Sequence, residues 1–167
     1  MNPKPFRTNG AIGALLDEYE KALTELKQTV LNLTREELIH IVDAETQNEE
    51  CKSIQTILSH IVQSGYTYAV EIRKWMGKQD DYRPVILLDH LDEYLAALDR
   101  MFQYTEQLFL DHPHIKLTEY DFDKKIKVRW GQSYDVEQLM QHAIVHVLRH
   151  RRQIEKFKVQ LKTNSII

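Results

Sequence analysis

An all-α fold, a four-helix bundle, is what this sequence predicts, and three observations carry the prediction. Apolar residues recur at alternating steps of three and four along four stretches of matched length. Helix breakers are scarce: the 167 residues include five glycines and four prolines, most of them outside those stretches. Hydrophobic residues at 43% and charged residues at 28% are ordinary values, and the length suits one domain with a real core over residues 1–167.

The first stripe is Ile12, Leu16, Tyr19, Leu23, Leu26, Val30 and Leu33, with Asn9 and Gly10 as its N-cap. A short extra helix follows at "TREEL", where Thr34 and Glu37 have the spacing of a capping box. The second stripe is Ile54, Ile57, Ile61, Gly65, Tyr68, Ile72 and Trp75, capped by Ser53. The third is Leu88, Leu91, Leu95, Leu98, Phe102, Thr105 and Phe109; Pro84 stands near its start, where a missing N–H costs least. The fourth is Leu139, Ala143, His146, His150, Gln153, Phe157 and Leu161, with Ser133 as its cap. Each stripe covers roughly six turns at ~3.6 residues per turn. Four such helices bury their stripes by packing on one another.

Two connections are long: Thr34 to Lys52, and Asp111 to Gln132. In the second, "KIKVRW" (Lys125 to Trp130) alternates charged and apolar residues and reads as a strand. "IKLTEY" (Ile115 to Tyr120) is its expected partner across "DFDK", making a small β-hairpin over one end of the bundle.

Composition excludes some functions. The formal net charge of -3 gives no general attraction to nucleic acid or to an anionic membrane surface. No apolar stretch approaches the ~18 residues of a membrane span, and "MNPKPFRTNG" has no apolar run after its basic residues, so no secretory leader is expected. The single cysteine, Cys51, allows no internal disulfide and fits a reducing compartment, so the cytoplasm is the expected location. Cys51 precedes a helix start, where a thiol pKa falls, yet the simpler reading is an inert thiol.

The chemistry is concentrated in "HAIVHVLRHRRQIEKF", where His142, His146 and His150 recur every fourth residue. At ~100° per residue, His150 lies about 40° around from His146 and one turn along, so both face inward. His142 falls beside Ala143, off the stripe, at the rim. A buried imidazole left unsatisfied costs ~1–3 kcal/mol. A divalent metal resolves that cost by taking one nitrogen of each ring and leaving the other to an acceptor nearby. Hydrogen bonds across the bundle to carboxylates resolve it equally well, and the residues alone leave both readings open. A third ligand has to come from another helix. His60, beside Ile61 on the flank of the second stripe, is placed for that, although taken singly it reads as an ordinary half-buried histidine.

Gln153 follows His150 by three residues on the same face; it can orient a ligand imidazole or simply end the stripe. Tyr66 and Tyr68 are within reach from the second helix, Tyr68 as a core residue first. "HAIVH" lacks the glutamate of the zinc-protease H-E-x-x-H helix. "ELIH" (Glu37 to His40) is a single Glu-x-x-His where a di-iron bundle needs two. "DHPH" (Asp111 to His114) reads as a solvated loop. Arg149, Arg151, Arg152, Lys156, Lys158 and Lys162 make the last helix basic. The helix dipole favours cations near a C-terminus, and attraction of an anionic substrate is the alternative.

"HVLRHRRQI" (His146 to Ile154), taken with "SIQTILSHIV" and "RWGQSYDVEQLMQHAIVH", resembles the DinB-like family of metalloenzymes. The likeness covers essentially the whole chain in helix order and spacing. It rests on Ser53, Ile54 and His60 in the second helix and on the His–x3–His and Gln positions of the fourth. Arg152 departs from the family pattern, where many relatives have glycine. The resemblance implies a four-helix bundle of unusual helix order and a zinc or nickel ion held by His60, His146 and His150. It also implies, for some members, transfer reactions of low-molecular-weight thiols such as bacillithiol or mycothiol. Three neutral imidazoles leave an ion at least one open position, where water or a thiol becomes a nucleophile at neutral pH. The expectation is therefore a metal-dependent transferase or hydrolase acting on a small molecule. The competing class is a non-catalytic bundle that forms a homodimer or binds a partner, with a structural metal or none.

Overall fold

The computed structural model describes residues 5–164, so the first four residues of the segment read as lacking a leader lie outside it. Its helices are α1 (Gly10–Val30), α2 (Arg35–Ile39), α3 (Ile54–Trp75), α4 (Leu91–Asp111) and α5 (Val136–Asn164). Single 3-10 turns stand at Glu49–Cys51 and Phe122–Lys124, and two short strands, β1 (Ile126–Lys127) and β2 (Ser133–Tyr134), form the one sheet among the described residues. The all-α bundle is therefore present. No helix of the described residues is long and apolar enough to cross a membrane.

α1 packs against α4 and α5, and α3 packs against the same two helices. The order around the bundle is thus α1–α4–α3–α5, which puts α1 diagonally across from α3 and α4 diagonally across from α5. A chain that steps to the diagonal helix has to cross the end of the bundle, and this is why the α1–α3 and α4–α5 connections are the long ones. The core between the helices includes Leu16, Tyr19, Leu26, Ile57, Ile61, Ile72, Leu98, Met101, Leu139 and Val147. α3 and α4 approach closely at Gly65, where a Cβ would stand 2.3 Å from Met101 Sδ. Only the missing side chain allows that contact.

Local chemistry sets the helix ends, and here some expectations are corrected. The Thr34–Glu37 capping box forms, with Glu37 N–H on Thr34 Oγ1 (3.2 Å) and Thr34 N–H on Glu37 Oε2 (2.8 Å). Ser53 caps α3, accepting from Thr56 N–H at 3.1 Å. Asn9 holds the N-cap position of α1 without a side-chain hydrogen bond. Ser133 does not cap the last helix, because it lies in β2. Asp135 takes that place: its Oδ1 accepts from Gln138 N–H at 2.8 Å, and Gln138 Oε1 accepts from Asp135 N–H at 3.1 Å. An aspartate with a glutamine three residues on satisfies two orphan donors reciprocally, which a lone serine cannot.

α4 starts at Leu91, well after Pro84. The intervening chain lies along α3 instead, its Ile86 and Leu88 carbonyls accepting from Ser59 Oγ (2.8 Å) and Gln55 Nε2 (2.9 Å). Leu98, Phe102, Thr105 and Phe109 are buried as expected, while Leu88, Leu91 and Leu95 are half-buried and Tyr94 and Met101 take the buried positions beside them.

The hairpin pairs forward rather than backward: Ile126 faces Tyr134 and Lys127 faces Ser133. Gly131, at φ 90°, supplies the left-handed turn residue, whereas "DFDK" closes into the 3-10 turn with Asp121 Oδ1 accepting from Asp123 N–H. "IKLTEY" meets the start of α5 instead. The Leu117 carbonyl accepts from Glu137 N–H at 3.1 Å, one of the donors a helix N-terminus leaves open.

Candidate metal centre

The interface of α3 and α5 brings His60, His146 and His150 together. One ring nitrogen from each falls within 4.8 Å of the others. His60 Nε2 and His146 Nε2 are 2.9 Å apart. Ring centroids lie 4.8 Å apart for His60–His146, 5.0 Å for His60–His150 and 4.5 Å for His146–His150. Each pair of ligand nitrogens on a tetrahedral ion, at ~2.0–2.1 Å from it, would sit about 3.3 Å apart. The donor set therefore fits a divalent cation with only small ring movements.

The stripe of α5 is buried as expected at Leu139, Ala143, His150, Phe157 and Leu161, and it extends one residue further around to Met140, Val147 and Ile154. His150 is buried at 7% exposure, and His146 and Gln153 are half-buried. α5 is flanked by α1 on one side and α3 on the other. Aliphatic residues take the line between those helices, and the imidazoles take the flank that faces α3. His60, on the flank of its own helix, meets them there.

The outer nitrogens are also oriented. His150 Nδ1 lies 3.1 Å from Gln153 Oε1. An amide oxygen only accepts, so the ring donates there and keeps its Nε2 lone pair for the centre. Glu50 Oε2 stands 2.9 Å from His60 Nδ1, out of line for a formed hydrogen bond. Burial, and next the neighbouring His150 and His60, hold His146 down to about 2. Burial and then His60 hold His150 down to about 4. Both rings are therefore neutral at pH 7, the form in which imidazole ligates.

His142 continues the row of imidazoles but stays outside the donor group. Its ring stacks on that of Trp130 at 6.1 Å and 30°, with Tyr134 OH 3.3 Å from its Nδ1. Burial, followed by the Arg149 charge, lowers its pKa. Tyr68 is buried and packs its ring edge on His146 at 5.9 Å, while Tyr66 turns away to Tyr104. Glu37 is spent on its cap, His40 is exposed, and neither joins the donor group; nor do His112 and His114. Cys51 is buried beside Asn48, whose Nδ2 donates to Sγ at 3.4 Å, and burial raises its pKa.

A cleft of about 570 Å³ opens on His60 and His146. Gln63, Thr67, Arg129, Trp130 and His142 are among the residues that line it. The α4–α5 connection supplies Arg129 and Trp130, and the buried Glu71 helps to hold that segment, its Oε1 accepting from both Arg129 N–H and Tyr82 OH at 3.0 Å. Glu50 and Trp130 are site residues that the sequence reading missed. Glu50 carries no pattern of its own, but Trp130 stands next to Gly131, and that glycine is a turn signal. Compared with protein-family models, with curated proteins and with solved structures, the chain matches none.

Proposed function

We propose that this chain is a DinB-like metal-binding protein that holds a divalent ion, zinc or nickel, on His60, His146 and His150. In this reading it is a metal-dependent enzyme of the transferase or hydrolase type, acting on a small molecule. The observation that carries the reading is the convergence of three imidazole donors within 4.8 Å, two of which, His60 and His146, line an open cleft. The sequence resemblance supports it independently, since it selects the same three residues.

A bound ion would supply Lewis acidity, lowering the pKa of a thiol or water brought to it. The protein's own groups do the rest. Gln153 fixes the tautomer of His150, and the Glu50 carboxylate lies beside the outer nitrogen of His60. Gln63, Thr67 and Arg129 offer hydrogen-bonding groups along the cleft, and the Trp130 indole offers an apolar wall for orienting a substrate.

Elemental analysis of protein purified without an affinity tag tests the reading. Near-stoichiometric metal is expected in the parent and in His142→Ala, and most of it should be lost in His60→Ala, His146→Ala and His150→Ala. Circular dichroism establishes that each variant is folded. Loss of metal from His142→Ala with retention by His150→Ala would overturn the ligand assignment.

A further inference from the structure

The basic residues of α5 need an explanation that the helix dipole does not provide. Dipole stabilisation of cations is confined to the last turn, and α5 runs to Asn164, so Arg149 stands near its middle and Arg152 several turns before its end. Arg149, Arg152 and Lys156 follow i, i+3, i+7 spacing and share one face, where like charges repel.

Several other arginines meet carboxylates: Arg7 pairs with Asp17, Glu20 and Glu106, Arg73 with Asp80, and Arg151 with Glu25 and Glu155, whereas Arg100 and Arg129 do not among the described residues. Among the described residues, no carboxylate comes within ion-pair distance of Arg149, Arg152 or Lys156. The nearest acid in sequence, Glu155, is engaged by Arg151. These three cations line a depression of about 350 Å³ together with His150 and Gln153. Its inner wall is thus a proposed metal ligand and the amide that orients it. The charge of Arg149 reaches the centre, contributing to the lowered pKa values of His142, His146 and His150.

We infer that this depression binds the oxyanion group of a small molecule, a phosphate or a carboxylate, on Arg149, Arg152 and Lys156. Planar guanidinium forks suit oxygen pairs of either kind, and the lysine adds a third positive charge. Gln153, three residues after His150 and four after Arg149, lies on the helix face between the histidine and the cations, and all of them line the one depression. An anion held here would sit beside His150, the member of the histidine group that lines the depression. Assigning the anion as the handle of a substrate rests on the proposed metal centre; the anion site itself does not.

Inorganic phosphate and malonate serve as probes, titrated by calorimetry against the full chain, once after chelator treatment and once after loading with zinc. Saturable binding is expected in both preparations. Roughly tenfold weakening is expected in Arg149→Gln/Arg152→Gln and a smaller loss in Lys156→Gln, as charge-assisted hydrogen bonds are removed. These side chains are exposed, so the variants should keep the parent's circular dichroism. Tighter phosphate than malonate identifies a phosphorylated ligand, and the reverse order identifies a carboxylate; either supports the site. Unchanged affinity in the double arginine variant overturns it. Binding that needs zinc, disappears in His146→Ala and ignores the arginines also overturns it, while leaving the metal centre intact. Phosphate binding to a chain that holds no zinc would keep the anion site and remove the metal centre.

Discussion

The α1–α4 side of this bundle and its α3–α5 side are built to different ends. Between α1 and α4, Tyr19 sets its ring edge-on to Phe102 at 5.9 Å and points its hydroxyl at Met101 Sδ, with Leu23, Leu26 and Leu98 buried nearby. Polar groups stay at the margin, where Lys27 meets Asp99 at 2.5 Å and Arg7 meets Glu106 at 2.5 Å. Between α3 and α5, three imidazoles occupy space that aliphatic side chains fill on the other side. A bundle of this size closes without them. Their desolvation works against folding, as the depressed pKa values of His146 and His150 register. One side keeps an apolar interior, and the other gives up part of its apolar packing to keep neutral nitrogen donors in place.

The comparison can be broken most directly on its apolar side. Leu98→Ala, at a fully packed position, is expected to cost about 2–5 kcal/mol in urea unfolding, with metal content unchanged. A cost near zero would mean that the apolar interior at Leu98 is not tightly packed. The next effect is on the polar side. Zinc at a hundredfold excess over Kd should add ~2.7 kcal/mol, read as a rise in melting temperature that chelator reverses. The same increment is expected in Leu98→Ala, because distant sites add. Identical melts with and without metal would leave the imidazoles without their proposed role.

The smallest effect concerns metal-free protein in acid. The native state holds His146 at about 2 and His150 at about 4, whereas an unfolded histidine titrates near ~6.5. The unfolded chain therefore takes up protons first, and stability present above pH 6.5 is lost as pH falls below it. Between pH 7 and pH 6 the two rings together should cost up to about 1.4 kcal/mol. Chemical denaturation across that range measures the slope, which should flatten in His146→Ala/His150→Ala. A parent chain with no slope would show that these rings are not held neutral by the fold.

Much of the architecture was legible in periodicity, because a helix needs only its own residues at the right spacing. The stripes of α1 and α3 are buried nearly as read, and the caps at Thr34 and Ser53 form as read. Reading was weakest where two local signals competed. Ser133 and Asp135 both suit an N-cap, and the glutamine three residues after Asp135 decides between them. "DFDK" and "WGQ" both suit a turn, and Gly131 decides at φ 90°. The histidine site was legible as three residues on two helices, but Glu50 and Trp130 reach it from connecting segments whose path has no period to read.

By itself, then, the sequence determined the four amphipathic stripes, the two long connections and the i, i+4 pair of histidines on one helix face, since each depends on spacing along a single segment. Only the tertiary structure decided that α5 lies between α1 and α3, because neighbour choice depends on how all the stripes are buried at once. That arrangement turns Val147 and Ile154 to the centre and the imidazoles to the α3 flank, where His60 stands. It also leaves Arg149, Arg152 and Lys156 beside His150 with no carboxylate partner among the described residues, a relation between surfaces that no spacing encodes.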